Sequence, residues 1–142
     1  MGSANPNVDV LRQAYQRWSE SRGRSIDDWL AIVAPSFRIR SGADEHAEGQ
    51  FGAVPAGREG LRSYLVELVG HWIMESHDVE RFIADGDEVA VLIRAVWRHR
   101  VTNKQIACDL VDVWSFQGGQ AVSLMEVFDT AAMVQAATPD AA

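Results

Sequence analysis

The sequence predicts an α+β domain, with helices in the first half and an antiparallel meander in the second. Three observations carry this. Apolar residues recur at helical spacing in three early stretches, then alternate at strand spacing from about residue 76 onward. Turn signals at Asp85-Gly86-Asp87, Thr102-Asn103-Lys104 and Gly118-Gly119 cut the second half into four strands. Runs of helix followed by runs of strand argue against alternating βαβ units.

The first helix is expected from about Pro6 to Ser21, with Asn5 as N-cap and Pro6 in the first turn. Val8, Leu11, Tyr15 and Trp18 make its apolar face, and Gly23 ends it. A second helix starts at Ser25, whose hydroxyl caps it, with Asp27 and Asp28 where the dipole favours acids. Ile26, Trp29, Leu30 and Val33 form its buried side, and Pro35 stops it. Phe37, Ile39 and Ser41 then alternate with Arg38 and Arg40 as a short strand. Gly42 opens a polar loop to about Ala56 that holds Asp44, Glu45, His46 and Glu48. It fits either a solvated excursion or a lid over a pocket. A third helix spans about Arg58 to Trp72, with Leu61, Leu65, Leu68 and Trp72 on one stripe.

Four strands follow, roughly Ser76–Ala84, Glu88–Arg100, Gln105–Phe116 and Gln120–Phe128. On the third of these one face reads Ile106, Cys108, Leu110, Asp112, Trp114 and Phe116; on the fourth, Val122, Leu124, Glu126 and Phe128. Each greasy face hides one acid. A carboxylate in such a setting is costly unless paired or partly wet, so two on neighbouring strands suggest a pocket that uses them. The turn decides whether they share a face. A two-residue turn at Gly118-Gly119 pairs Asp112 with Met125 and sends Glu126 outward. A three-residue loop, Gln117-Gly118-Gly119, pairs Asp112 with Leu124 and keeps both faces together, so that register is expected. The acids are then diagonal neighbours, roughly 5–8 Å apart.

At 142 residues the chain is long enough for one real core, expected over about 6–133, with the tail 134–142 fraying. Net charge is −7 and no basic stripe stands out, so nucleic acid is not an expected partner. Arg94, Arg98 and Arg100 fall on the face opposite Val91, Ile93, Ala95 and Trp97, as a solvated outer face or a subunit contact. The single cysteine, Cys108, excludes an internal disulfide. No leader and no long apolar run points to secretion or a membrane, so a cytoplasmic protein is expected. His46, His71, His77 and His99 show no ligand spacing, so no metal or other cofactor is expected.

The segments QAYQRW, PAGREGLRSYL, FIADGDEVAVLIRA, DLVDVWSF and SLMEVFDT, in this order, resemble the ketosteroid-isomerase and SnoaL-like branch of the nuclear transport factor 2-like superfamily. The resemblance covers almost everything from Val8 to Met133. It implies a cone-shaped curved sheet wrapped around the three N-terminal helices, one deep apolar pocket, and a homodimer. In ketosteroid isomerase, itself a worked example of pKa tuning, a tyrosine and a protonated Asp hold the substrate oxygen while another Asp moves the proton. By resemblance Tyr15 and Asp112 stand for the first two. Ser41 occupies the base position, which it cannot serve, leaving Asp44, His46 or Glu126 as candidates. SnoaL-type polyketide cyclases carry their essential acid at the position of Glu126 and a histidine at that of Asp112. Limonene epoxide hydrolase also has an acid at the Glu126 position, but Ile93 and Ala95 replace the Arg and Asp that support it.

At about 6 Å and an effective dielectric near 20, repulsion between Asp112 and Glu126 is about 3 kcal/mol, enough to keep a proton on one of them. Asp112 is expected to be the protonated donor, Tyr15 a second donor to the same substrate oxygen, and Glu126 the base. The ligand is expected to be a small apolar molecule with a ring and a carbonyl. Trp18, Phe37, Ser41, Trp72, Trp97, Trp114 and Phe128 are the expected pocket wall. Two readings stay open: an acid–base enzyme, or a non-catalytic ligand-binding or dimerisation module in which Asp112 is a satisfied core group.

Overall fold

Helix α1 (Pro6–Ser21) starts as its sequence dictates: the Asn5 side chain accepts the Asn7 N–H, and Pro6 occupies the first turn. Its buried stripe of Val8, Leu11, Tyr15 and Trp18 faces the sheet. The computed structural model describes residues 5–41 and 56–141. The loop acids and His46 of the sequence reading lie outside them.

Helix α2 (Ile26–Leu30) is shorter than its pattern suggests. Ser25 gives no side-chain cap; its hydroxyl is buried without a partner among the described residues, while its N–H binds Ser21 Oγ. The chain leaves the helix at Leu30 because Val33 is already paired with Ala121 as the start of strand β1 (Val33–Ser41). Pro35 therefore sits in an irregular stretch of an edge strand, where its missing N–H does little harm.

Helix α3 (Gly57–His71) runs straight into β2 (Trp72–Asp85) with no loop. Trp72 is thus the first residue of a strand, paired with His99, and not the last of a helical stripe. Strands β3 (Glu88–His99), β4 (Gln105–Gln117) and β5 (Gln120–Val127) complete the antiparallel meander, and β1 adds parallel to β5. The order is β1-β5-β4-β3-β2, a five-stranded curved open sheet of the nuclear transport factor 2-like cone type. The inward rows are those alternation predicts: Val89, Val91, Ile93, Ala95 and Trp97 on β3, and Ile106, Leu110, Asp112, Trp114 and Phe116 on β4 are all buried. His99, at the hairpin end of β3, is buried too, and its Nδ1 accepts the N–H groups of Val101 and Thr102. On the outer face, Arg94 pairs with Asp109 and Arg98 with Glu75.

The β4–β5 hairpin corrects the expected register. Gln117 pairs with Gln120, so the turn is the two-residue Gly118-Gly119, both with positive φ (59° and 83°). Parity is rescued by a bulge: Ser115 pairs with Ser123 and Phe116 with Ala121, leaving Val122 as an extra residue. Beyond it Asp112 pairs with Glu126 directly, not diagonally. Ala121 takes the fully buried place expected for Val122.

After the sheet comes a fourth helix, α4 (Thr130–Ala137), where the sequence reading expected a fraying tail from residue 134. Asp129 caps it, Met133 and Ala136 are buried, and Thr102 Oγ1 donates to the Ala136 carbonyl. Asp129 is a local start signal that the sequence reading passed over, whereas the Thr102 bond that ties the helix down is distant in sequence. No helix among the described residues is long and apolar enough to cross a membrane.

Candidate active site

The concave side of the sheet and helices α1 and α3 enclose a cavity of about 110 Å³. Tyr15, Asp112 and Glu126 line it, with Trp18, Trp72, Trp97, Trp114 and Phe128 of the expected wall. Phe37 and Ser41 do not. Phe37 is core packing behind the wall, its ring 6.1 Å from that of Trp114. Ser41 sits at the end of β1 beside Glu126, with its side chain buried and bonded to Tyr64.

Asp112 lies mid-strand in β4, only 5% exposed. Tyr15 Oη donates to its Oδ2 at 2.5 Å, and Trp114 Nε1 donates to Tyr15 Oη at 2.8 Å. Tyr15 thus spends its proton on Asp112 and is not a free second donor to a ligand oxygen, as the sequence reading had it. Asp112 Oδ1 is buried, with no donor among the described residues and the Glu126 carboxyl facing the Asp112 side chain. Burial first, and the facing Glu126 second, push the Asp112 carboxyl well above the usual carboxylate range; the Tyr15 bond works against this. With Oδ2 already an acceptor, the proton this favours belongs on Oδ1.

Glu126 has a tyrosine of its own. Tyr64, on the inward stripe of α3 with Leu61 and Leu65, donates to Glu126 Oε1 at 2.5 Å, and the Ser41 hydroxyl bonds to Tyr64. The site is therefore two matched relays, Trp114–Tyr15–Asp112 and Ser41–Tyr64–Glu126, that meet at facing carboxyls. Burial and the adjacent carboxylate push both tyrosine hydroxyls up, so each stays a neutral donor. Sequence reasoning missed Tyr64. Its only signal was a place three residues after Leu61, which a core aromatic shares.

Aromatic packing fixes the relays. Trp29, also missed as a wall residue, stacks on Trp114 with 5.4 Å between centroids and 8° between planes. It meets Tyr15 edge-on at 4.9 Å. The rest of the lining is mostly aliphatic, with Cys108 and His77 as further polar groups. Among the described residues no cluster of His, Cys, Asp and Glu is placed to hold a metal ion.

Two facing carboxyls in an apolar chamber cannot both ionise cheaply, so one proton is held between them. Such a pair offers a hydrogen-bond donor and a base a few ångströms apart, which is the equipment for moving protons next to a carbonyl.

The comparisons with known proteins come to the same fold. A sequence profile for the SnoaL-like domain matches residues 11–124. The chain is similar to a nuclear transport factor 2-like protein of unknown function from Burkholderia pseudomallei: 23% identity, TM-score 0.80, covering 94% of this chain and 98% of that one. It is similar to TerC, co-crystallised with polyporic acid: 21% identity, TM-score 0.77, with 94% and 98% covered. A protein from Jannaschia species CCS1, presented as a SnoaL-like polyketide cyclase, is 19% identical with TM-score 0.75, over 98% of this chain and all (100%) of its own. These likenesses show the fold alone. No curated protein matches significantly.

Proposed function

The chain belongs to the SnoaL-like domain family, and from that premise and its facing carboxyls we propose a cofactor-free acid–base enzyme acting on a small, apolar, ring-containing carbonyl compound. The single observation that carries this is the Asp112–Glu126 pair inside an apolar cavity, each acid backed by a tyrosine. Asp112, holding the shared proton, turns its carboxyl from Glu126 to the ligand and donates to the carbonyl oxygen. Glu126 takes the proton from the adjacent carbon, and charge gathers on the oxygen that Asp112 holds. Return of that proton to a different carbon completes an isomerisation. Attack of the enolate carbon on a second carbonyl closes a ring, and loss of a β-hydroxyl as water is a dehydration. The likeness to proteins presented as a polyketide cyclase and as TerC with polyporic acid is in keeping with this class. A cavity near 110 Å³, below the roughly 150 Å³ that takes up benzene, limits the ligand to a single ring.

Deuterium uptake from D₂O into bound single-ring ketones, followed by NMR, tests the reading. Protein-dependent uptake is expected, falling about 10²- to 10⁴-fold in Glu126→Gln with ligand binding retained. Binding without uptake for every ketone that binds would sink it. That outcome favours the second reading, a non-catalytic ligand-binding module, whose support is that Ser41, at the isomerase base position, is tied to Tyr64.

The protein is further proposed to work in the cytoplasm as a homodimer. The support for the dimer is an apolar outer sheet face, where Ile83, Met125 and Val127 are exposed, Val127 by 52%. Sedimentation of the Met125→Lys/Val127→Lys variant as a monomer, and of the wild type as a dimer, is the expected result.

A further inference from the structure

His77 is a polar side chain on the cavity wall that neither relay uses. It points inward from the middle of β2, beside Ala95 of β3, and is 6% exposed. Its ring lies parallel to that of Tyr15, 6.0 Å between centroids and 13° between planes, and meets Trp97 edge-on at 6.4 Å. Packing on three sides thus fixes an imidazole in an apolar wall. A buried polar group normally has a partner, and each exception asks for an explanation. Here Nδ1 is sealed beside the residue's own main-chain carbonyl, short of hydrogen-bond geometry and with no other partner among the described residues. That placement favours the tautomer with its proton on Nδ1 and leaves Nε2, which is not among the sealed atoms, with a lone pair on a residue that lines the cavity. Burial holds the ring neutral, its pKa lowered to about 4. A neutral acceptor on this wall, apart from the two relays, reads a donor on the ligand.

We propose that His77 Nε2 is a second anchor in the cavity, accepting a hydrogen bond from a hydroxyl on the ligand ring, so that the site selects ring carbonyl compounds that also bear a hydroxyl. This rests on the cavity being a ring-carbonyl site, as above, but not on turnover. Selectivity follows because an analogue lacking the hydroxyl leaves the buried lone pair unpaired.

The probes are 3- and 4-hydroxyacetophenone against the corresponding methylacetophenones, titrated at pH 7 by tryptophan fluorescence. At least one hydroxyl isomer is expected to bind the wild type about fivefold tighter than its methyl counterpart. His77→Phe reverses that order, because a methyl suits an apolar wall better. His77→Gln, which keeps a carbonyl acceptor, retains part of the preference. A purely structural histidine would weaken all four ligands together and leave the ratio unchanged. Should the Phe variant fail to fold, the His77 ¹⁵N signals of the wild type decide: Nε2 moves with the hydroxyl ligand and not with the methyl one. No hydroxyl preference in either isomer, a preference that survives in His77→Phe, or no binding of any compound overturns the proposal. Hydroxyl-selective binding without Glu126-dependent deuterium uptake sinks the acid–base reading and leaves the anchor standing.

Discussion

Asp112 and Glu126 are partners across the β4–β5 ladder, and each takes a hydrogen bond from a different tyrosine on a different helix. Directly opposed strand residues hold their Cβ atoms about 4.5–5.5 Å apart, closer than the diagonal pair the sequence suggested. The repulsion is correspondingly stronger, and the proton between the two acids is part of the folded state.

Asp112→Asn should therefore stabilise the protein near neutral pH. The Asp112 carboxyl is raised above its ordinary 3.8 by burial and by Glu126. A group raised in this way favours the native state below its unfolded pKa and loses that contribution as pH rises through the native one. Asparagine is neutral throughout, can accept the Tyr15 bond and can donate to Glu126. Urea unfolding should show the variant more stable at pH 7, with the gain fading toward pH 4. A variant weaker than wild type at pH 7 would mean that Asp112 is an ordinary satisfied carboxylate.

Tyr64→Phe should act on Glu126 while leaving the Tyr15–Asp112 bond intact. It removes a charge-assisted bond to Glu126 and the bond between Ser41 and Tyr64, so a loss of about 2 kcal/mol at pH 7 is expected. Ser41→Ala, one step further back, should cost less, and the double variant should fall short of the sum because the residues form one chain. If the two losses simply add, the Ser41–Tyr64–Glu126 relay is not a unit.

Much of this site was legible because strand parity is a strong constraint. The alternation of β4 placed Asp112 and Trp114 inward, and the α1 stripe placed Tyr15 against them. What stayed hidden depends on partners far along the chain. Tyr64 is one aromatic among leucines until Glu126 is known to stand opposite its hydroxyl. The early end of α2 at Leu30 follows from Val33 pairing with Ala121, and Trp72 leaves its helix because His99 waits across the sheet. The Gly118-Gly119 turn was visible as a turn, but nothing local marks Val122 as the residue that bulges.

His77 should give the protein a measurable acid sensitivity of its own. Burial lowers its pKa from 6.5 to about 4, against which the neighbouring Asp78 charge works only partly. A depressed histidine is neutral in the native state while the unfolded chain takes up protons, so stability is full above about pH 6.5 and falls until about pH 4. The span corresponds to about 3 kcal/mol. Stability measured from pH 7 down to 4.5 should fall less steeply in His77→Phe. Equal slopes in the two proteins would place the imidazole in contact with water.

Deleting Val122 should leave the site standing, because it is the one residue of β5 without a partner on β4. Its removal keeps Phe116 opposite Ala121, Ser115 opposite Ser123 and Asp112 opposite Glu126, now in an unbroken ladder. Leu124 and Glu126 stay inward, and ketone binding should survive. Deleting Val122 and Ser123 together should take the site apart while leaving its chemistry-bearing residues in the sequence. The Gly118-Gly119 turn then sets Val127 opposite Asp112 and forces every later residue of β5 to the other face. Leu124 and Glu126 would point outward, and Met125 and Val127 inward. Exposing Leu124, now 6% exposed, and unpairing Tyr64 should together cost about 3 kcal/mol or more, and ligand binding should be lost. Binding kept in the single deletion and lost in the double would show that the bulge serves to set parity; loss already in the single deletion would mean that the shape of the strand at Val122 is itself needed to bring Glu126 opposite Asp112.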